Sequence, residues 1–261
     1  DDLVGLVLTH GHEDHLGAVA YLWPRLRCPV YATPFTAALL RRKLAEAGLE
    51  GEVPLHEISL NGNVALGPFD VTYVTLTHSI PEPNALAIRT PIGLVLHSGD
   101  WKLDPDPLIG APTDEATLRL LGEEGVLAMT NDSTNVFVEG TSGSEGELTD
   151  QLAELIGSFS KRVAIACFAT NLARLKSICA AAKANDRDVA LVGRSLWRVD
   201  EIARETGLFD DLPPFLDDEA AAHMPKDKIV IVCTGSQGEP RAALSRIVRG
   251  GHRHVCLEEG D

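Results

Sequence analysis

The chain has no CxxC pair, no apolar run near the roughly 18 residues of a membrane span, and few positive charges. Its five cysteines (Cys28, Cys167, Cys179, Cys233, Cys256) are odd in number and far apart. Several sit in apolar runs, where cysteine acts as a small hydrophobe. That excludes a disulfide framework and predicts a reduced, cytoplasmic protein. The longest apolar stretches, such as Ile229–Cys233, are of strand length. The opening residues Asp-Asp-Leu-Val-Gly show no basic n-region of a signal peptide. No repeat or low-complexity segment interrupts the sequence. Lys and Arg number 23 against 38 Asp and Glu, a formal net charge of −15. Residues 1–143 hold 8 basic and 19 acidic side chains. Such a surface repels nucleic acid at long range. Any polyanion must be met locally, by metal ions or a basic groove.

What is present suffices for a large core. Apolar residues make up 44% of the 261 and charged residues 23%, the balance of a folded chain. The length fits one large or two small domains. A soft boundary falls in the Gly/Ser/Thr-rich stretch 140–146, giving domains 1–143 and 144–261. In the first, Leu3–Leu8 reads as a buried strand, followed by a helix over Leu16–Leu26. Pro34 opens a helix that Gly48 stops. Short strands follow at Val71–Leu76, Ala85–Arg89 and Leu94–His97. In the second, Ser144–Glu147 fits a capping box for a helix to about Phe159. Strands at Val163–Phe168, Val189–Val192, Ile229–Cys233 and Val255–Leu257 alternate with helices, among them Asn171–Ala184. Repeated βα units predict a mostly parallel sheet.

The strongest chemical signal is His10-Gly-His12-Glu-Asp14-His15 at the end of an apolar run. Imidazole and carboxylate suit zinc and related divalent ions. Four donors in six residues are too many for one open site, so they point to two ions. The alternative is a solvated His-rich turn. His78 and Asp100 each follow an apolar run in the same way. A carboxylate there can bridge two cations. His97 is a weaker candidate, better read as a packing residue or a partner of a ligand than as a ligand itself.

Thr9–His15 resembles the HxHxDH signature of the metallo-β-lactamase fold, with His78 and Asp100 where that fold places its next histidine and its bridging aspartate. The resemblance narrows with His78-Ser-Ile-Pro, His97-Ser-Gly-Asp-Trp-Lys, Asp132-Ser-Thr-Asn135, Phe168-Ala-Thr-Asn171, Gly193-Arg-Ser195 and Thr234-Gly-Ser-Gln-Gly-Glu-Pro240. In this order they resemble the ribonuclease J family of β-CASP nucleases, over nearly the whole chain. Trp101, Asn131 and Thr170 depart from the resembled pattern, which more usually has Phe, Gly or Ser, and Ser. The family's further segments, its opening strands, HxSGH and a later Pro-x-His-Gly-Glu that adds a ligand, do not occur within these residues. The resemblance therefore implies an internal piece lacking both ends.

It implies an α/β chain: a partial metallo-β-lactamase αββα sandwich and a β-CASP α/β domain of mostly parallel strands. It implies two divalent ions, Zn2+ first with Mn2+ or Mg2+ as alternatives. His10, His12 and His78 would hold one ion, Asp14 and His15 the other, with Asp100 between them. Asp14 and Asp100 would be the catalytic pair holding a shared hydroxide. RNA, with or without a 5′-monophosphate end, would be the partner, cut internally or from that end. Candidate RNA contacts are Asp132, Ser133, Asn171, Arg194, Ser195, Ser236 and Gln237. Asp132 is equally a turn residue, and Gly235–Gly238 before Pro240 equally an ordinary helix start. No membrane partner and a homo-oligomer are expected. The alternatives are a hydrolase of small esters, lactones or thioesters, and an RNA-binding piece without turnover.

Overall fold

A computed structural model describes residues 3–261, which form two compact units divided between Gly143 and Ser144. In the first, the elements are β1 (Leu6–Val7), α1 (Glu13–Leu16), α2 (Val19–Leu26), β2 (Val30–Ala32), α3 (Pro34–Glu46), β3 (Leu55–Glu57), β4 (Asn63–Leu66), β5 (Phe69–Thr75), β6 (Asn84–Thr90), β7 (Gly93–His97), α4 (Glu115–Glu124) and β8 (Val126–Thr130). They form a parallel sheet, β1-β2-β3, and a five-stranded sheet, β4-β5-β6-β7-β8, antiparallel except for the parallel β7–β8 pair.

The centre of the larger sheet is buried on both faces, because alternate side chains of a strand point to opposite sides, while the edge strand β8 is mostly exposed. Val71 and Tyr73 of β5 pack with Leu66 and Leu86 against Val7 and Tyr31 of the small sheet. Val74, Ala85, Ala87 and Leu94 pack against Leu118 and Leu121 of α4. Helix α3 covers β2 and β3. The layers are therefore helix, sheet, sheet, helix.

Two expectations for this unit need correction. The run Leu3–Leu8 yields only a two-residue strand, with Leu3 and Val4 exposed. The helix expected over Leu16–Leu26 is two helices. A separate turn, α1, carries Asp14 and His15, its Gly17 N–H closing on Glu13 O at 2.8 Å, and α2 begins only at Val19. A side chain at Gly17 would collide with Glu13, so the chain bends there.

The second unit contains α5 (Glu147–Gly157), β9 (Val163–Ala166), α6 (Leu172–Ala184), β10 (Asp188–Val192), α7 (Arg194–Glu205), α8 (Asp218–His223), β11 (Ile229–Cys233) and α9 (Ala243–Val248). Its sheet is wholly parallel, in the order β10-β11-β9. Strand β11 is central and fully buried, as a parallel strand covered on both faces should be.

Here too the structure departs from the expected elements. Ser144 makes no capping box: its hydroxyl accepts from Gly146 N, while Glu145 pairs with Arg174 at 3.3 Å. Val255–Leu257 is not a strand. Side chains take its backbone groups instead, with Val255 N donating to His252 Nδ1 and Arg162 donating to Cys256 O. Among the described residues, no helix is long and apolar enough to cross a membrane.

Candidate metal centre

Strands β5 and β7 both run antiparallel to β6, so their carboxyl ends share one edge of the sheet. His78 follows the first and Asp100 the second. Gly99 makes the turn to Asp100 with φ 58°, and a Cβ there would stand 2.6 Å from Asn84 O. Only glycine suits both demands. From the small sheet, the segment after β1 brings His10 and His12, and α1 brings Asp14 and His15.

These six side chains form two groups that share Asp100. His10, His12, His78 and Asp100 make one, and Asp14, His15 and Asp100 the other, with donor atoms within 4.8 Å in each. The Asp100 carboxylate divides between them. Its Oδ2 lies 3.9 Å from His10 Nε2 and 3.7 Å from His78 Nε2, and its Oδ1 lies 3.3 Å from His15 Nε2. Asp14 Oδ2 is 3.6 Å from the same His15 nitrogen. His10 Nε2 and His12 Nδ1 are 3.1 Å apart.

The electrostatics favour lone pairs over protons. His10 is fully buried, and burial first, then the neighbouring His15, His12 and His78, pushes its pKa down to about 2. Burial and His78 push His12 down to about 4, although Asp14 and Asp100 oppose this. His78 is also lowered, by burial first and against the pull of Asp132. Neutral imidazoles converging beside carboxylates are the donor set that divalent metal needs, so the residues present fit two such ions.

Residues 1–122 match the family model for the β-lactamase superfamily domain, and residues 160–261 match that for the ribonuclease J β-CASP domain. The chain thus carries a β-lactamase superfamily domain followed by a ribonuclease J β-CASP domain. It is 46% identical to Ribonuclease J of Sinorhizobium meliloti, over 100% of this chain and 46% of that protein. It is 42% identical to Ribonuclease J of Corynebacterium glutamicum, over 98% and 36%, and 38% identical to that of Thermus thermophilus, over 98% and 46%. The chain thus spans about half or less of the length of these relatives. A crystal structure of a protein of unknown function from Enterococcus faecalis V583 shares the fold, with TM-score 0.64 and 17% identity, over 87% of this chain and 58% of that one.

The other residues singled out in the ribonuclease J pattern fall in different surroundings. His97 lies outside both donor groups and meets Thr130 Oγ1 at 2.6 Å. Asp132 accepts from Thr134 N and Oγ1 at 3.0 and 2.6 Å, while its own N–H donates to Ser98 Oγ. Those Thr134 bonds hold its carboxyl below the usual range. Ser133 is exposed and donates to Asn131 O.

In the second unit, Asn171 follows β9, Arg194 and Ser195 follow β10, and Ser236 and Gln237 follow β11. Because the strands are parallel, all five lie toward one carboxyl edge, the usual ligand side of such sheets. Arg194, Ser195, Ser236 and Gln237 are exposed. Asn171 is nearly buried and committed to capping α6, accepting from Arg174 N at 3.0 Å. The helix expected at Pro240 opens only at Ala243, and the Gln237 N–H is taken by the Glu239 carboxylate at 3.1 Å.

Four residues around the metal centre escaped sequence reasoning. Thr9 Oγ1 lies 3.0 Å from His10 Nδ1, and Ser79 Oγ lies 3.5 Å from His12 Nε2. Asn84, fully buried, donates from Nδ2 to Thr9 O and Glu82 O. Glu82 reaches 47 residues back to accept from Phe35 N in the first turn of α3. Thr9 and Ser79 lay within the motifs, but only as neighbours of their histidines; Glu82 and Asn84 lay outside them. Asn84 ties the His10 segment to the loop after His78. Asn84→Ala should therefore lower the stability of the metal-free protein by about 1–3 kcal/mol, read from its urea midpoint, and weaken metal binding. Unchanged stability and affinity would show that the tie carries nothing.

Proposed function

We propose that this chain is the metal-binding and RNA-holding part of a ribonuclease that hydrolyses RNA phosphodiester bonds in RNA processing and decay. One observation carries the reading: the two oxygens of Asp100 face two separate histidine groups. The ribonuclease J β-CASP match and the similarity to Ribonuclease J proteins support RNA as the substrate, including RNA with a 5′-monophosphate end. Free cysteines, four of them buried, support a cytoplasmic protein.

His10, His12, His78 and Asp100 would hold one divalent ion, with Zn2+ the first candidate. Asp14, His15 and Asp100 would hold the other. Such ions supply Lewis acidity toward phosphoryl oxygens and acidify water. The chain's own groups do the rest. With the ring proton on Nδ1, His10 donates a hydrogen bond to Thr9 Oγ1, which leaves the Nε2 lone pair free toward the cluster. Asp100 sets a negative charge between the two groups and limits their repulsion. Arg194 can grip a phosphate bidentately, and Ser195, Ser236 and Gln237 add hydrogen bonds at the same sheet edge. Asp132 biases His78 by charge.

The metal-loaded full-length protein should cleave 5′-phosphorylated RNA and leave a lactone and a thioester intact. Turnover of either small ester without RNA cleavage would overturn the reading. Arg194→Ala and Ser236→Ala should each weaken RNA binding severalfold at unchanged metal content. If RNA affinity holds and stability falls, these residues are structural.

A further inference from the structure

We propose that Trp101 is a stacking platform for one base of the RNA, held in position by Asn131. This rests on the nuclease reading above. Trp101 directly follows Asp100, and the residue is 38% exposed. The other two tryptophans are used differently. Trp23 is buried and donates to Cys28 O, and Trp197 donates to Leu191 O. Their indole N–H groups tie down backbone. That of Trp101 instead meets the exposed side chain of Asn131, at 3.1 Å to Oδ1.

A brace surrounds this pair. Asn131 Nδ2 donates to Asp132 O, and Asp132 N donates to Ser98 Oγ in the turn before Asp100. On the other side, Lys102 N donates to Thr77 O, and Thr77 Oγ1 donates to Lys102 O. The backbone of Trp101 is thus pinned between the bridging carboxylate and a fixed neighbour, while the ring stays open to solvent. Positions 101 and 131 are two of the three departures from the resembled pattern, and the hydrogen bond between them needs both. A phenylalanine has no N–H to give.

The charge balance gives such a platform a purpose. A strongly acidic domain cannot hold RNA by long-range attraction away from its metals. Stacking does not depend on charge and accepts any base, because every base has a π-face. A rigid indole beside Asp100 would seat a nucleotide close to the cluster at little entropic cost.

An abasic scan tests this. The metal-loaded full-length protein is given 5′-phosphorylated RNAs that each lack a single base, at successive positions, and kcat/KM is measured. In the wild type, one position should be sensitive, with a loss of about tenfold. Trp101→Leu should cut intact RNA about tenfold more slowly and lose that sensitivity. Trp101→Phe should keep part of it, because a π-face remains but the hydrogen bond to Asn131 is lost. Asn131→Ala should reduce it while metal content stays constant. An unchanged scan in Trp101→Leu overturns the proposal, as does a scan with no sensitive position in the wild type. Should Trp101→Leu fail to fold, the Asn131→Ala scan decides in the same way. A wild type that cuts no RNA would overturn the nuclease reading itself, a separate result.

Discussion

Asp100→Asn should strip metal from both donor groups of the full-length protein. The carboxylate is shared, so its loss leaves three histidines on one side and only Asp14 with His15 on the other. An amide still offers one oxygen, but it removes the negative charge between the ions. Removing mere outer partners of metal ligands costs about 10–100-fold in affinity, and a shared ligand should cost at least the upper figure. Elemental analysis should find less than one ion per chain after dialysis, and RNA cleavage should vanish with the metal. His97→Ala, outside both groups, should keep its metal. Two tightly held ions in the Asp100→Asn protein would end the bridging assignment.

Acid should destabilise the metal-free protein through the same histidines. His10 titrates near 6.5 when unfolded but is pushed down to about 2 when folded. The unfolded state therefore binds its proton first, and stability falls as pH drops below 6.5. Above that pH the group contributes no slope. At pH 5 the loss from His10 alone is about 2 kcal/mol. His12, pushed down to about 4, adds to it in the same direction. Urea midpoints between pH 7 and 5 should slope more steeply for the wild type than for His10→Gln. Equal slopes would mean that the buried imidazole is not the cause. Saturating metal should oppose the loss, because it binds only the deprotonated native set.

Much of the site was legible in the sequence because its parts are local. His10, His12, Asp14 and His15 lie within six residues, and each further donor follows an apolar run. The structure gathers all six into two groups. The strand runs were also legible, and β5, β6 and β7 fall close to the expected ones. The failures came where a local signal competed with a distant partner. Ser144-Glu145 read as a cap, yet Glu145 answers Arg174 on another helix. Val255–Leu257 read as a strand, yet His252 and Arg162 hold its backbone.

The sequence by itself determined the donor types, their spacing and the apolar runs that form the buried strands. Those follow from covalent neighbours and from the periods of strand and helix. Tertiary structure alone decided which oxygen of Asp100 faces which histidine. It also decided that Asn84 ties Thr9 to Glu82, and that Trp101 meets Asn131 across 30 residues. Each such pairing depends on sheet register and on the angle of a turn such as that at Gly99. A one-residue slip in a strand would turn every one of these side chains to the opposite face, and no local pattern records which partner then stands opposite.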